Sequence, residues 1–108
     1  DAIHCALMRD DLLIVSDTAE TRLVMIGHDH YPGSSIALRI DTNKPFVETS
    51  DGFADSRARD VLAALTSGRS AVTRYQRWPY QTDIDARLSL EGFPQAVQLL
   101  NWSVKHYR

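Results

Sequence analysis

The chain has 108 residues, of which 44% are hydrophobic and 24% are charged, and its formal net charge is -2. This length fits a single domain over residues 1–108, and the composition is that of an ordinary globular protein, which excludes low-complexity and collagen-like chains. No apolar run is long enough for a transmembrane segment. Acidic and basic residues are interspersed without a basic excess, so we expect no nucleic-acid partner.

The first half of the sequence predicts short β-strands separated by turns. Large apolar residues at 36, 38 and 40 alternate with Ala37, Arg39 and Asp41, which is typical of a strand with one buried face. The segments 31–34 and 42–45 carry turn-forming Pro, Gly and Asn, so residues 46–48 would return as the second strand of a hairpin. Apolar runs predict three earlier strands, at residues 3–8, 12–15 and 23–26.

A helix is predicted over residues 55–67, because apolar side chains recur there at helical spacing. Asp55 or Ser56 would cap its start. Gly68 would end it as the C′ glycine, which usually adopts the left-handed conformation.

Strands return after this helix, and a second helix closes the chain. Residues 70–78 favour a strand that Pro79 interrupts, and residues 83–90 alternate cleanly, so the two would pair as a hairpin. Pro94 suits the first turn of a helix over residues 93–107, which carries one apolar stripe. The sequence therefore predicts an α+β domain: an antiparallel β-sheet or sandwich with two helices.

Cys5 is the only cysteine, so no disulfide forms within the chain, and a four-cysteine zinc site is excluded. Its position in the predicted strand 3–8 favours a buried, inert thiol, with an intermolecular disulfide or a reactive thiol beside His4 as the alternatives. The sequence begins at Asp1 rather than Met, which predicts that a preceding segment is removed by processing or trimming.

Residues 28–30, His-Asp-His, are the most conspicuous group of potential metal ligands. In an extended segment His28 and His30 would share a face and hold one metal ion together with a third ligand. Three residues are candidates for that third ligand: His4, His106 and Asp17. The alternative is a polar loop with both imidazoles in solvent, and on that interpretation we expect no cofactor.

Groups suited to catalysis are sparse. Asp83 and Asp85 lie on one face of the predicted strand and would form a carboxylate pair, but an exposed strand face favours simple solvation. No nucleophile elbow, P-loop, dinucleotide fingerprint or calcium loop occurs in the sequence. We therefore expect a protein that is not an enzyme.

Aromatic and arginine side chains cluster around the predicted hairpin 70–90. Both types are enriched at protein interfaces, so we expect a partner-binding surface there, with packing in the core or at a sheet edge as the alternative. Six arginines between residues 57 and 87 would form a basic patch or a solvated face with ion pairs. The predicted partner-binding residues are Arg74, Tyr75, Arg77, Trp78 and Tyr80.

Three short motifs follow one another in the second half of the chain. A helix ends in Leu-x-x-Gly within residues 59–68, Tyr75 and Trp78-Pro79 follow, and the chain closes with Ser-Leu-x-Gly-Phe-x-x-Ala at residues 89–96. In this order they resemble the C-terminal part of the invasion-associated locus B family of bacterial envelope proteins. The matching residues of the last motif are Ser89, Leu90, Gly92, Phe93 and Ala96.

The resemblance implies a periplasmic or secreted protein without known catalysis, which acts in envelope function or in the virulence-related contact of bacteria with host cells. We therefore expect a small non-enzymatic exported bacterial domain that binds another protein. One alternative is an inhibitor or immunity protein that blocks a toxin or hydrolase. The other is a metal-binding protein that uses His28 and His30.

Overall fold

A computed structural model describes residues 5–16 and 21–106 of the chain. Within these residues, eight β-strands form two four-stranded antiparallel sheets, and two α-helices complete an α+β fold, as predicted. The strands are β1 (Cys5–Arg9), β2 (Leu12–Ser16), β3 (Thr21–Ile26), β4 (Ile36–Ile40), β5 (Phe46–Glu48), β6 (Gly52–Ala54), β7 (Ser70–Gln76) and β8 (Asp83–Ser89). The helices are α1 (Asp55–Ser67) and α2 (Phe93–His106).

The first sheet has the strand order β1-β2-β3-β6. Consecutive antiparallel pairing joins β1 to β2 and β2 to β3, and β6 adds to the far side of β3, where Phe53 lies opposite Val24. Alternate residues of β2 point into the core, so Leu12 and Ile14 are buried. The apolar runs of the first half thus build the inner face of this sheet.

The second sheet has the order β5-β4-β7-β8 and contains both predicted hairpins. Ile36, Leu38 and Ile40 are buried, as the alternation in residues 36–40 predicts. Strands β7 and β8 pair along their whole length. The side chains of β4, β7 and β8 that point away from the core, most of them polar, form what we call the outer face of the second sheet, whereas Thr73 of β7 is buried.

Both helices pack on the first sheet. Helix α1 contacts β3 and β6, α2 contacts β1 and β2, and the helices touch each other. Neither α1 nor α2 is long and apolar enough to span a membrane. Their inward side chains join those of both sheets in one hydrophobic cluster, to which the helices contribute Ala58, Val61, Leu65, Phe93, Val97 and Leu100.

Helix α1 has the predicted bounds, but its caps differ from the prediction. Ala54 is the N-cap, and it is extended with no side-chain capping bond, because β6 leads directly into the helix and neither Asp55 nor Ser56 caps it. Gly68 is also extended, at φ -91°, rather than left-handed. The glycine is required there for a different reason, since a Cβ would collide with the side chain of Ile40.

Other element boundaries also shift. Strand β7 ends at Gln76 rather than at residue 78, β8 ends at Ser89 rather than at residue 90, and the short strand β6 was not predicted. Positions 3–4 of the first predicted strand and position 107 of the last helix lie outside the described residues. Cys5 is half-buried rather than buried, and it faces α2.

The motif at residues 89–96 has a structural role at the junction of β8 and α2. Gly92 adopts the left-handed conformation, at φ 75°, and turns the chain into the helix that starts with the fully buried Phe93. Arg9 of β1 donates to the carbonyl oxygens of Ser89 (3.2 Å) and Glu91 (3.3 Å), and its guanidinium lies 5.7 Å from the Phe93 ring centroid. Through these contacts with Arg9, the motif links the end of β8 in the second sheet to β1 in the first sheet.

Candidate partner-binding site

Tyr75, one of the predicted partner-binding residues, lies in the core. Successive side chains of a strand point to opposite faces, so Tyr75 points inward while Arg74 points outward. Tyr75 is 2% exposed, and burial raises the pKa of its phenol. Its ring centroid lies 6.0 Å from that of His28 and 5.5 Å from that of His30. The prediction is wrong for Tyr75, which supports the loop above it and does not reach a partner.

Arg74 lies on the outer face of the second sheet, where β8 holds its guanidinium. It donates to both carboxylate oxygens of Asp85, at 2.7 and 2.8 Å, and lies 3.8 Å from Asp83. This bidentate contact holds the pKa of Asp85 below its ordinary value. Asp83 and Asp85 therefore form ion pairs with Arg74 across the two strands. This differs from both sequence-based alternatives, a carboxylate pair for acid–base chemistry and simple solvation.

Asp85→Asn should lower stability slightly at neutral pH, by a few degrees of Tm at most, because the pair is exposed and water screens it. The folded-state pKa of Asp85 is depressed, so the ion pair contributes fully above the ordinary carboxyl value of 3.8 and is lost as the pH falls through the lowered folded value. Urea unfolding of the wild type and the variant should differ at pH 7 and converge in strong acid. A constant difference across this range would contradict the assignment.

Arg77, Trp78 and Tyr80 lie together at the end of the β7–β8 hairpin. Trp78 is 57% exposed and Tyr80 is 69% exposed. Tyr31, from the loop between β3 and β4, lies against Trp78 with 5.5 Å between ring centroids. We call Tyr31, Arg77, Trp78, Pro79 and Tyr80 the aromatic tip.

Backbone hydrogen bonds hold the aromatic tip in place. The N–H of Tyr31 donates to the carbonyl of Gln76 at 2.8 Å, and the N–H of Trp78 donates to the carbonyl of Asp29 at 2.7 Å. The two loops therefore fix each other, and the buried Tyr75 ring supports one of them from below. A loop that is ordered in advance loses less conformational entropy when it binds.

The aromatic tip borders a cleft of about 360 Å³. Trp78, Pro79 and Tyr80 line it together with Ile84, which is half-buried, and Arg77 adds a positive charge. A mostly apolar cleft with few polar groups is the form that accommodates an anchoring side chain at an interface. The arrangement is suited to binding.

His28 and His30 do not lie on an extended segment, as the metal hypothesis requires. Gly27 and Asp29 have positive φ angles of 73° and 52°, so the chain turns between the two histidines. His30 is half-buried, and its Nε2 donates to the carbonyl of Ile26, so that nitrogen is engaged as a donor. His28 is exposed, with its Nδ1 3.2 Å from the Asp29 carboxylate.

No group of three His, Cys, Asp or Glu side chains placed to hold a metal ion occurs in residues 5–16 and 21–106. Of the candidate third ligands, His4 and Asp17 lie outside the described residues. His106 lies at the end of α2, where its ring stacks on Trp102 at 4.6 Å between centroids. The described geometry therefore does not support the metal site predicted at His28 and His30.

Tyr31 is the part of the tip that sequence reasoning missed. It lies far from Trp78 in the sequence, where its surroundings indicate only a turn. The pairing of β4 with β7 brings the two loops to the same end of the sheet, and that pairing is not visible in local patterns. The available signal was the presence of aromatic residues beside proline in both turns.

No family model, curated protein or solved structure matches the chain.

Proposed function

We propose that this chain is a non-enzymatic protein-binding domain whose aromatic tip contacts a protein partner. The observation that carries the proposal is the pairing of high exposure with fixed geometry at Trp78 and Tyr80. Large aromatic side chains at the centre of an interface supply much of its binding energy, and monomeric proteins rarely expose several of them together.

The size of the tip agrees with a role as the centre of an interface. Covering the exposed parts of Trp78 and Tyr80 would remove on the order of 200 Å² of surface from water, worth about 5 kcal/mol before the entropy of association is subtracted. A stable complex usually buries about 800 Å² on each partner. The tip would therefore supply the anchor, and the surfaces around it the rim.

The proposal includes export to the periplasm or the medium of a bacterium, where the protein would act in envelope function or host-cell contact. Its support is the resemblance to the invasion-associated locus B family. In this chain Gly92 and Phe93 of the shared motif build the turn into α2. Their role in this chain is structural, and the motif brings no catalytic residues with it.

A photo-crosslinking experiment tests the site and the compartment together. The gene is expressed in its native bacterium with the photoreactive residue benzoylphenylalanine replacing Tyr80, and a matched variant carries it at Leu99, an exposed residue of α2. The proposal predicts a cross-linked protein from position 80 but not from position 99, recovered from the periplasm or the medium. A product only from position 99 would overturn the site, and a product confined to the cytoplasm would overturn export.

Titration with the captured partner should then show a large effect of Trp78→Ala. A central tryptophan is typically worth about 2 kcal/mol or more, so the Kd should rise roughly 30-fold, whereas Leu99→Ala should change it less than about twofold. Both residues are more than half exposed, so neither change should unfold the domain. The identity of the partner distinguishes the main proposal from an inhibitor, since an inhibitor would capture a toxin or hydrolase.

A further inference from the structure

The outer face of the second sheet contains a shallow recess of about 290 Å³, away from the core. Val72 forms its floor between Arg39 and Arg87, and Ala37, Pro45 and the paired Arg74 and Asp85 complete its lining. The strand register fixes this arrangement, because Val72 lies opposite Arg39 on β4 and opposite Arg87 on β8. Two strand spacings therefore separate the backbones of the two arginines by roughly 9–10 Å.

Both arginine side chains are exposed, and neither guanidinium makes a hydrogen bond or an ion pair within the described part of the chain. The aspartates on the same face do not neutralise them, since Asp83 and Asp85 are both engaged with Arg74. The recess is thus a locally positive site on a chain whose formal net charge is -2. An unpaired guanidinium offers a planar donor fork that matches a carboxylate.

We propose that this recess binds an acidic peptide segment of a partner protein, with Arg39 and Arg87 each holding one carboxylate. An extended peptide presents side chains i and i+2 on one face about 6.8 Å apart, and flexible arginine side chains can lean inward to that spacing. The apolar side chains of Val72 and Ala37 take the peptide's aliphatic carbons. The proposal is independent of the aromatic tip, because none of these residues belongs to it.

The test uses a fluorescein-labelled peptide of six glutamates, titrated by fluorescence anisotropy at about 0.15 M salt, where a Debye length of about 8 Å screens the cations that lie outside the recess. Arg39→Gln/Arg87→Gln should weaken binding at least about tenfold, since both charge-assisted contacts are lost. The matched control, Arg69→Gln/Lys105→Gln, has the same net charge and alters two exposed cations that do not line the recess. It should change binding less than about twofold, as should Trp78→Ala.

A conservative variant separates recognition from bare charge. Arg39→Lys/Arg87→Lys keeps both positive charges but loses the bidentate fork, so it should bind the peptide several-fold more weakly than the wild type. Equal losses in the two Gln double variants would show that only overall charge matters, and would overturn the proposal. So would an absence of peptide binding at millimolar concentration, or tighter binding of inorganic phosphate or oligothymidylate than of the peptide. Far-UV circular dichroism confirms that each variant is folded.

Discussion

Phe53→Ala should lower the free energy of unfolding by about 3–5 kcal/mol, the usual cost of removing a large buried aromatic side chain. Phe53 has no exposed surface. It belongs to β6, the strand that leads into α1, and it lies opposite Val24 of β3. Its ring meets Phe46 edge-on, with 6.2 Å between centroids, and the Arg57 guanidinium lies 5.7 Å away. Removing the ring would leave a cavity where the first sheet, the second sheet and α1 meet.

Thermal and urea unfolding measure this effect directly. For a domain of this size the loss corresponds to a fall in Tm of about 13–22 °C. Val47→Ala is the matched control: Val47 is 51% exposed, so its removal should change stability by less than about 0.5 kcal/mol. A loss below about 1 kcal/mol for Phe53→Ala would show that the two sheets do not share the core described here.

Gly27→Ala should cost about 2–5 kcal/mol, from two separate effects. Gly27 has φ 73°, a conformation that costs an L-residue about 1–2 kcal/mol. A Cβ at this position would also lie 2.5 Å from atoms of the Tyr75 ring, and overpacking of this kind typically adds about 1–3 kcal/mol. The strain would fall on the ring that supports the aromatic tip.

Gly33→Ala separates the two effects. Gly33 has nearly the same backbone angle, φ 76°, but a Cβ added there would meet nothing within 4 Å, so only the conformational cost should appear. Urea unfolding should therefore show a clearly larger loss for Gly27→Ala. Equal losses in the two variants would contradict the close contact between Gly27 and Tyr75.

The strands and helices followed from periodicity, because a half-buried element repeats its apolar residues at the period of its own geometry. Residues 36–40 and 83–89 alternate cleanly, and both form strands with the expected buried face. The strand at residues 52–54 was not predicted, because a segment of three residues that includes a glycine is too short to show an alternation of apolar and polar side chains. The first half therefore appeared one strand short.

The candidate site was harder to predict, because it depends on which face a side chain occupies and on pairing between distant strands. The five predicted binding residues do not lie on one surface. Tyr75 points into the core, and Arg74 pairs with Asp85 on the outer face. Of the five, only Arg77, Trp78 and Tyr80 belong to the aromatic tip. Because neighbouring side chains of a strand point to opposite faces, the predicted strand 70–78 already indicated that Arg74 and Tyr75 lie on different faces. The contribution of Tyr31 did not appear in any local pattern, since it arises from the packing of two loops.

The recess between Arg39 and Arg87 shows the same dependence on register. The two arginines lie on different strands, and the intervening strand β7 sets their separation. In the sequence they appear as isolated solvated charges. Strand pairing places them on two sides of one recess. It also gives Arg74, the third arginine of that face, a carboxylate partner in Asp85.

Hydrogen exchange measured by mass spectrometry, on the protein alone and in complex with its cross-linked partner, shows which surface of the domain the partner covers. If the aromatic tip is the binding surface, amides in residues 29–31 and 77–82 should exchange more slowly in the complex, while those of α2 keep their rates. Protection confined to α2, with unchanged exchange at the tip, would contradict the account.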